Sequence, residues 1–164
     1  AYATLAAHGR HGRYSLVERL SRDGQEIGLP APEARQAVTR EAADTTTSIL
    51  RSVVETGTGT AAQTAGRPAA GKTGTAEDDK AAWFAGYTPE LATVVALMGQ
   101  DPESGRQEPL YGALGLPRIN GGGAPAEIWG QFTREALAGT APRDFELQLM
   151  PGAEEPPPVP PMPD

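Results

Sequence analysis

The sequence predicts an α+β fold in which helices flank an antiparallel sheet. Three observations lead there. An amphipathic stretch ends in a Gly-Thr-Gly run at residues 57–59, and a second follows the triple glycine at 121–123. Between them lie three strand-like runs whose connections are too short for a helical crossover, so neighbouring strands must pair antiparallel. At 164 residues the chain is at most one ordinary domain.

The elements follow in order. Ala1 to Ala7 favours helix from the first residue, with Gly9 as its stop, and reads as a helix entered in mid-course. Residues 14–29 form a predicted hairpin around the turn pair Asp23-Gly24. Pro30 and Pro32 break the chain. A helix is predicted from Arg40 to Glu55, with Ile49, Leu50, Val53 and Val54 as its apolar stripe and Gly57 and Gly59 as its end.

Residues 56–71 read as loop leading into an edge strand that continues through Lys72 to Ala76. Glu77 to Lys80 is a polar turn, with Asp78 and Asp79 expected in solvent. Trp83 to Tyr87 is a second strand, stopped by Pro89. Leu91 to Met98, carrying Val94, Val95 and Leu97, is a third and is expected to be the more buried. Residues 99–124 are irregular. A last helix starts near Pro125 with Ile128, Phe132 and Ala136 on one face and Trp129 beside them, and Gly139 ends it. From Pro151 seven of fourteen residues are Pro, so residues 140–164 are expected to be a disordered or polyproline-like tail.

Composition narrows the function. The chain has 14 Lys+Arg against 21 Asp+Glu, a net charge of −7, which argues against a nucleic-acid partner. Three of those acids lie from Pro151 onward, leaving the rest near −4. With no Cys, disulfides, thiolate zinc sites and a Cys nucleophile are excluded. His8 and His11 sit among glycines with no nearby carboxylate before Glu18, so they read as surface residues and no metal is expected.

The informative segment is Gly66-Arg67-Pro68-Ala69-Ala70-Gly71-Lys72-Thr73-Gly74-Thr75. Gly66 to Thr73 matches Gly-x-x-x-x-Gly-Lys-Thr, the loop that cradles nucleotide phosphates. Its context is poor, because that loop needs a buried strand before it and a helix after it, and here Thr/Gly-rich sequence precedes and acidic sequence follows. Lys72 to Thr75 also matches Lys-Thr-Gly, one of three motifs of serine β-lactamases and penicillin-binding proteins. On an edge strand Thr73 and Thr75 point to one side, where two hydroxyls can hold a carboxylate. Lys72 adds positive charge. Gly74 lets a peptide-like ligand approach the backbone. The Thr75 N–H can donate to a developing oxyanion.

Here the sequence resembles the transpeptidase domain of class A, bifunctional penicillin-binding proteins. The resemblance rests on Tyr2 to Ala6, Val53 to Gly59, Ala70 to Asp78, Ala82 to Pro89 and Pro125 to Trp129, and covers residues 1–139 in the family's order. It implies a penicillin-binding-protein/serine β-lactamase-like transpeptidase fold with its N-terminal part absent. It implies acyl transfer from the D-Ala-D-Ala end of a peptidoglycan stem peptide through a serine acyl-enzyme, a site that β-lactams also occupy. By this resemblance Lys72 and Thr75 are catalytic, Thr73, Gly74 and Thr75 bind substrate, and no cofactor is required.

The family also needs Ser-x-x-Lys and Ser-x-Asn. Three residues after Ser15, Ser21, Ser48, Ser52 and Ser104 stand Glu18, Gly24, Arg51, Glu55 and Gln107. The single Asn, Asn120, follows Arg118 by two. The expectation is therefore the C-terminal half of a transpeptidase domain, inactive alone, whose partner is the upstream half carrying the Ser nucleophile. The resemblance places it outside the cell, anchored in the cytoplasmic membrane through that upstream region. Uncovered apolar surface is expected to make it marginally stable by itself. Two other classes stay open at this point: a P-loop nucleotide hydrolase, and a non-catalytic peptide- or β-lactam-binding fragment.

Overall fold

A computed structural model describes residues 1–17, 19–30 and 33–153. Its centre is a four-stranded antiparallel meander in the order β5 (Ala70–Thr75), β6 (Ala81–Tyr87), β7 (Ala92–Gln100) and β8 (Gln107–Glu108). Short connections force this topology, and β5 is an edge strand as its sequence predicts. Thr73 stands opposite Phe84 and Gly74 opposite Trp83.

Two helices cover one face. α2 (Arg40–Glu55) has the predicted bounds, with Thr39 Oγ1 accepting the Ala42 N–H as N-cap. α3 (Ala124–Ala136) carries Pro125 in its first turn. The core between helices and sheet holds Val54, Ala62, Ala65, Phe84, Ala126 and Trp129. Phe84 and Trp129 meet edge to face, with ring centroids 5.4 Å apart, and the indole N–H donates to Thr93 O at 3.2 Å. Gly71 and Gly86 make room for these rings, since a Cβ on either would lie 2.6 Å from Phe84.

Several packing expectations are corrected. The buried face of α2 is Ala43, Asp44, Thr47, Ser48 and Val54, while Ile49 is exposed. On α3 the buried residues are Pro125, Ala126, Trp129, Gly130 and Thr133, and Ile128 and Phe132 face outward. Small and polar residues win these positions because the helices approach closely: a Cβ on Gly130 would lie 3.0 Å from Ala62 O. The most buried strand is β6, not β7, because β6 is paired along both edges and covered by Trp129, while β7 meets β8 only at Gly99 and Gln100.

Other elements were not legible. Residues 56–71 contain a 3-10 helix over Thr60–Ala65 instead of open loop. α1 (Tyr2–Ala6) is followed by β1 (Arg10–Gly12), which pairs with β4 (Ala34–Gln36) across the expected loop. The predicted hairpin at 14–29 shrinks to β2 (Leu20–Arg22) and β3 (Gln25–Ile27) around Asp23-Gly24.

Asp44, buried on α2, explains the early chain. It accepts from His8 Nδ1 at 2.7 Å, from Arg40 Nε at 3.2 Å and from the Gln148 N–H at 2.9 Å. His8 is thus a tether between α1 and α2, not a free surface residue. Residues 140–153 lie in neither helix nor strand, yet Arg40, Asp44 and Thr45 bond the backbone of Glu146, Gln148 and Met150. Phe145 packs edge to face on Tyr87. Packing against α2 therefore continues past residue 139, and the Pro-rich end from residue 154 lies outside the described residues.

Candidate active site

The register of β5 decides which backbone groups are open. The Ala76 N–H donates to Ala81 O at 2.8 Å, continuing the ladder that pairs Thr75 with Ala82. In an antiparallel pair, opposed residues alternate between bonded and non-bonded. The backbones of Lys72, Gly74 and Ala76 therefore turn toward β6, and those of Gly71, Thr73 and Thr75 turn toward the open edge. The Thr75 N–H is thus an outward donor fixed by the sheet, and Thr73 O an outward acceptor.

The side chains divide between the two faces. Thr73 and Thr75 point to the face covered by α2 and α3; Lys72 and Gly74 point to the other. Lys72 returns to the edge nonetheless, because Nζ donates to Thr73 O at 2.8 Å. Among the described residues no carboxylate lies within 4.0 Å of that ammonium. Its charge is exposed and available at the same edge as the Thr75 N–H.

The two threonine hydroxyls are held by neighbours that the sequence did not single out for the site. Thr58, beyond the end of α2, brings Oγ1 to 2.9 Å from Thr73 Oγ1. The Gly121 N–H donates to Thr75 Oγ1 at 3.2 Å. Gly121 packs flat on the strand pair: a Cβ there would stand against Trp83 O and lie 2.5 Å from Gly74 O and 2.7 Å from Gly74 N. Asn120 Oδ1 shapes this turn by accepting the N–H groups of Gly122 and Gly123 at 3.0 and 3.1 Å. The triple glycine was the available signal, though one sequence cannot tell a flexible loop from a close approach.

Gly74 itself is open on its Cβ side, where only Trp83 Cβ, at 3.4 Å, lies within 4 Å. Trp83 is 41% exposed beside it, while Phe84 is fully buried. The acidic turn after β5 differs from the expected solvated one. Asp79 is 5% exposed and accepts from Arg118 Nε at 2.8 Å. That guanidinium holds the Asp79 carboxyl below its usual range against the opposing effect of desolvation. The pair anchors the irregular 101–123 segment to the turn, and so steadies the approach to Gly121. Asp78 stays exposed and pairs with Lys80 at 3.3 Å.

The geometry overturns the phosphate-loop alternative. Gly66 follows a 3-10 helix, not a strand, and Gly71 to Thr73 lie inside an antiparallel strand that runs on to Thr75. Their N–H groups alternate in direction and cannot converge on a phosphate. Among the described residues no group of His, Asp and Glu could hold a metal ion. Among the described residues no helix is long and apolar enough to cross a membrane.

Lys72 to Thr75 thus lie on an open sheet edge with helices behind it. Comparison is in accord: residues 1–112 match the family model described as the penicillin binding protein transpeptidase domain, so the chain belongs to that family. It is 31% identical over 173 aligned positions to penicillin-binding protein 1A of Mycolicibacterium smegmatis, covering 98% of this chain and 21% of that protein. Penicillin-binding protein 1A of Neisseria gonorrhoeae is 30% identical, covering 90% of this chain and 18% of that one. The chain therefore spans about one fifth of the length of these curated relatives.

Among solved structures, penicillin-binding protein PonA1 of Mycobacterium tuberculosis superposes with a TM-score of 0.76 at 32% identity, over 98% of this chain and 42% of that one. The same protein in complex with penicillin V gives 0.75. Penicillin-binding protein 1A of Haemophilus influenzae, 20% identical with a TM-score of 0.72, shares the fold.

Proposed function

We propose that this chain supplies the Lys72–Thr75 wall of a D,D-transpeptidase site that cross-links peptidoglycan stem peptides and binds β-lactams. The observation that carries this is the open edge of β5. There the Thr75 N–H and the Lys72 ammonium lie along the edge, and the Thr73 and Thr75 hydroxyls stand beside it on the face that Thr58 and Gly121 approach.

In this function a serine outside these 164 residues attacks the carbonyl between the two D-alanines. The Thr75 N–H donates to the oxygen as it takes up negative charge. The serine proton passes to the leaving nitrogen, the carbon–nitrogen bond breaks and D-Ala departs as an amine. An amine of a second strand then attacks the acyl-enzyme, the ester bond breaks, and the proton that this amine loses returns to the serine oxygen. Thr73 and Thr75 hold the terminal carboxylate before that step. Lys72 contributes positive charge to the carboxylate and the proton network, with no acidic partner among the described residues. Gly74 admits the peptide close to the backbone. The protein would work outside the cytoplasmic membrane, anchored through residues outside this chain.

Labelling with a fluorescent penicillin tests this. The full-length polypeptide that contains this segment is expected to label covalently, and these 164 residues alone are expected not to. Labelling of the isolated chain would sink the assignment of the nucleophile elsewhere, and ATP or GTP binding without any penicillin labelling would sink the transpeptidase assignment. The remaining alternative, a fragment that recognises peptide or β-lactam without turnover, predicts reversible binding by the full-length polypeptide and no covalent adduct.

A further inference from the structure

We propose that Thr58 is a positioning residue for carboxylate recognition. It turns the Thr73 hydroxyl outward, and the Asn120–Gly123 turn braces it. The inference rests on the function proposed above and deepens it.

It follows from counting protons. A hydroxyl has one proton to donate and two lone pairs to accept with. Thr75 Oγ1 accepts from the Gly121 N–H, so its own proton is free to point at a ligand. Thr73 Oγ1 has Thr58 Oγ1 at 2.9 Å, and only one of the two can donate across that contact. A carboxylate is acceptor-only, so Thr73 must spend its proton on the ligand, and Thr58 must then be the donor to Thr73. The two site hydroxyls become a matched pair, each accepting from a fixed neighbour and donating outward. Cooperative polarisation strengthens the outer bonds.

The brace is visible in the backbone. A Cβ on Gly122 would stand against Thr58 O, so the turn and the Thr58 loop touch directly. Gly121 rests on the Gly74 backbone one residue away. One Asn-capped turn thus positions the partner of Thr75 and abuts the partner of Thr73. Thr58 is exposed, so its hydroxyl serves no buried network besides this contact.

The test uses the full-length polypeptide, benzylpenicillin and its methyl ester, in which the carboxylate is masked. Thr58→Val should weaken benzylpenicillin acylation roughly tenfold, the worth of one hydrogen bond. The loss should fall on the apparent dissociation constant and not on the limiting acylation rate. Thr58→Ser should restore it, and the ester should react equally with all three proteins. An equal loss with acid and ester, or none with either, would overturn the proposal. If Thr58→Val does not fold by circular dichroism, Thr58→Ala takes its place with the same expected pattern. Absence of acylation in the unsubstituted protein would instead overturn the transpeptidase function itself, and this inference with it.

Discussion

Gly74→Ala and Gly121→Ala place the same methyl group on opposite faces of one point in the sheet, with opposite expected consequences. At Gly74 the new Cβ meets only Trp83 Cβ at 3.4 Å, an ordinary contact, and the backbone needs no positive φ. Strand Gly costs roughly 0.5–1 kcal/mol relative to Ala, so the fold should be unharmed or slightly more stable. At Gly121 the Cβ would lie 2.5 Å from Gly74 O, and must retreat at least about 0.5 Å to reach 3.0 Å, against backbone that cannot rotate away. Overpacking of this kind costs about 1–3 kcal/mol. It also pulls the Gly121 N–H from Thr75 Oγ1.

The assay is fluorescent-penicillin labelling of the full-length polypeptide, read both as a rate and as the temperature at which labelling capacity is lost. Gly74→Ala should keep its thermal midpoint and lose tenfold or more in rate, because the methyl occupies the ligand's approach. Gly121→Ala should lose both. A Gly74→Ala protein that labels at the normal rate would show that no ligand packs over that backbone. A Gly121→Ala protein with unchanged midpoint and rate would refute the close packing of the 121 turn on β5.

Further expectations concern the frame around the site. Trp129→Ala, which removes a fully buried ring from the face of β6, should destabilise the domain by about 3–5 kcal/mol and lower its denaturation midpoint. Arg118 holds the Asp79 carboxyl low, so the pair stabilises the fold above the ordinary carboxyl range and loses that effect as pH falls through the depressed value. Arg118→Gln should therefore move acid inactivation to higher pH, measured by residual labelling after acid exposure. Burial pushes the Tyr87 phenol from 10.0 up to about 12, outweighing the Thr47 hydroxyl, which favours the ionised form. Stability tied to Tyr87 should hold below pH 10 and fall as pH rises toward 12. Tyr87→Phe should flatten that alkaline loss in a denaturation series.

Much of the sheet was legible because its signals are local. Lys-Thr-Gly-Thr followed by a turn and Trp-Phe-Ala-Gly-Tyr-Thr-Pro specifies two antiparallel strands by spacing alone, and α2 appears with its predicted ends. The packing faces were less legible. Ile49, Ile128 and Phe132 look like core by hydrophobicity, yet the structure buries Ala43, Thr47, Ala126 and Gly130, because the close contact of helix with sheet and 3-10 turn selects for small volume. β1 and β4 escaped notice since pairing across more than twenty residues leaves no short-range pattern. Asp79 read as solvated because its partner, Arg118, is distant in sequence.

The sequence by itself pointed to the family, which the family model over residues 1–112 bears out. Residue types and spacing within Lys72 to Thr75, together with the following strand, favoured a sheet edge over a phosphate loop, because strand alternation is a local property of the chain. The observed strand β5 then removed the phosphate-loop alternative. Only tertiary structure decided what holds that edge in working order. Thr58, Asn120 and Gly121 lie 14 or more positions from Lys72 in sequence and reach Thr73 and Thr75 only after α2, β5 and the approach to α3 have packed. Hydroxyl direction depends on which neighbour donates, and neighbours of that kind are assembled by the fold.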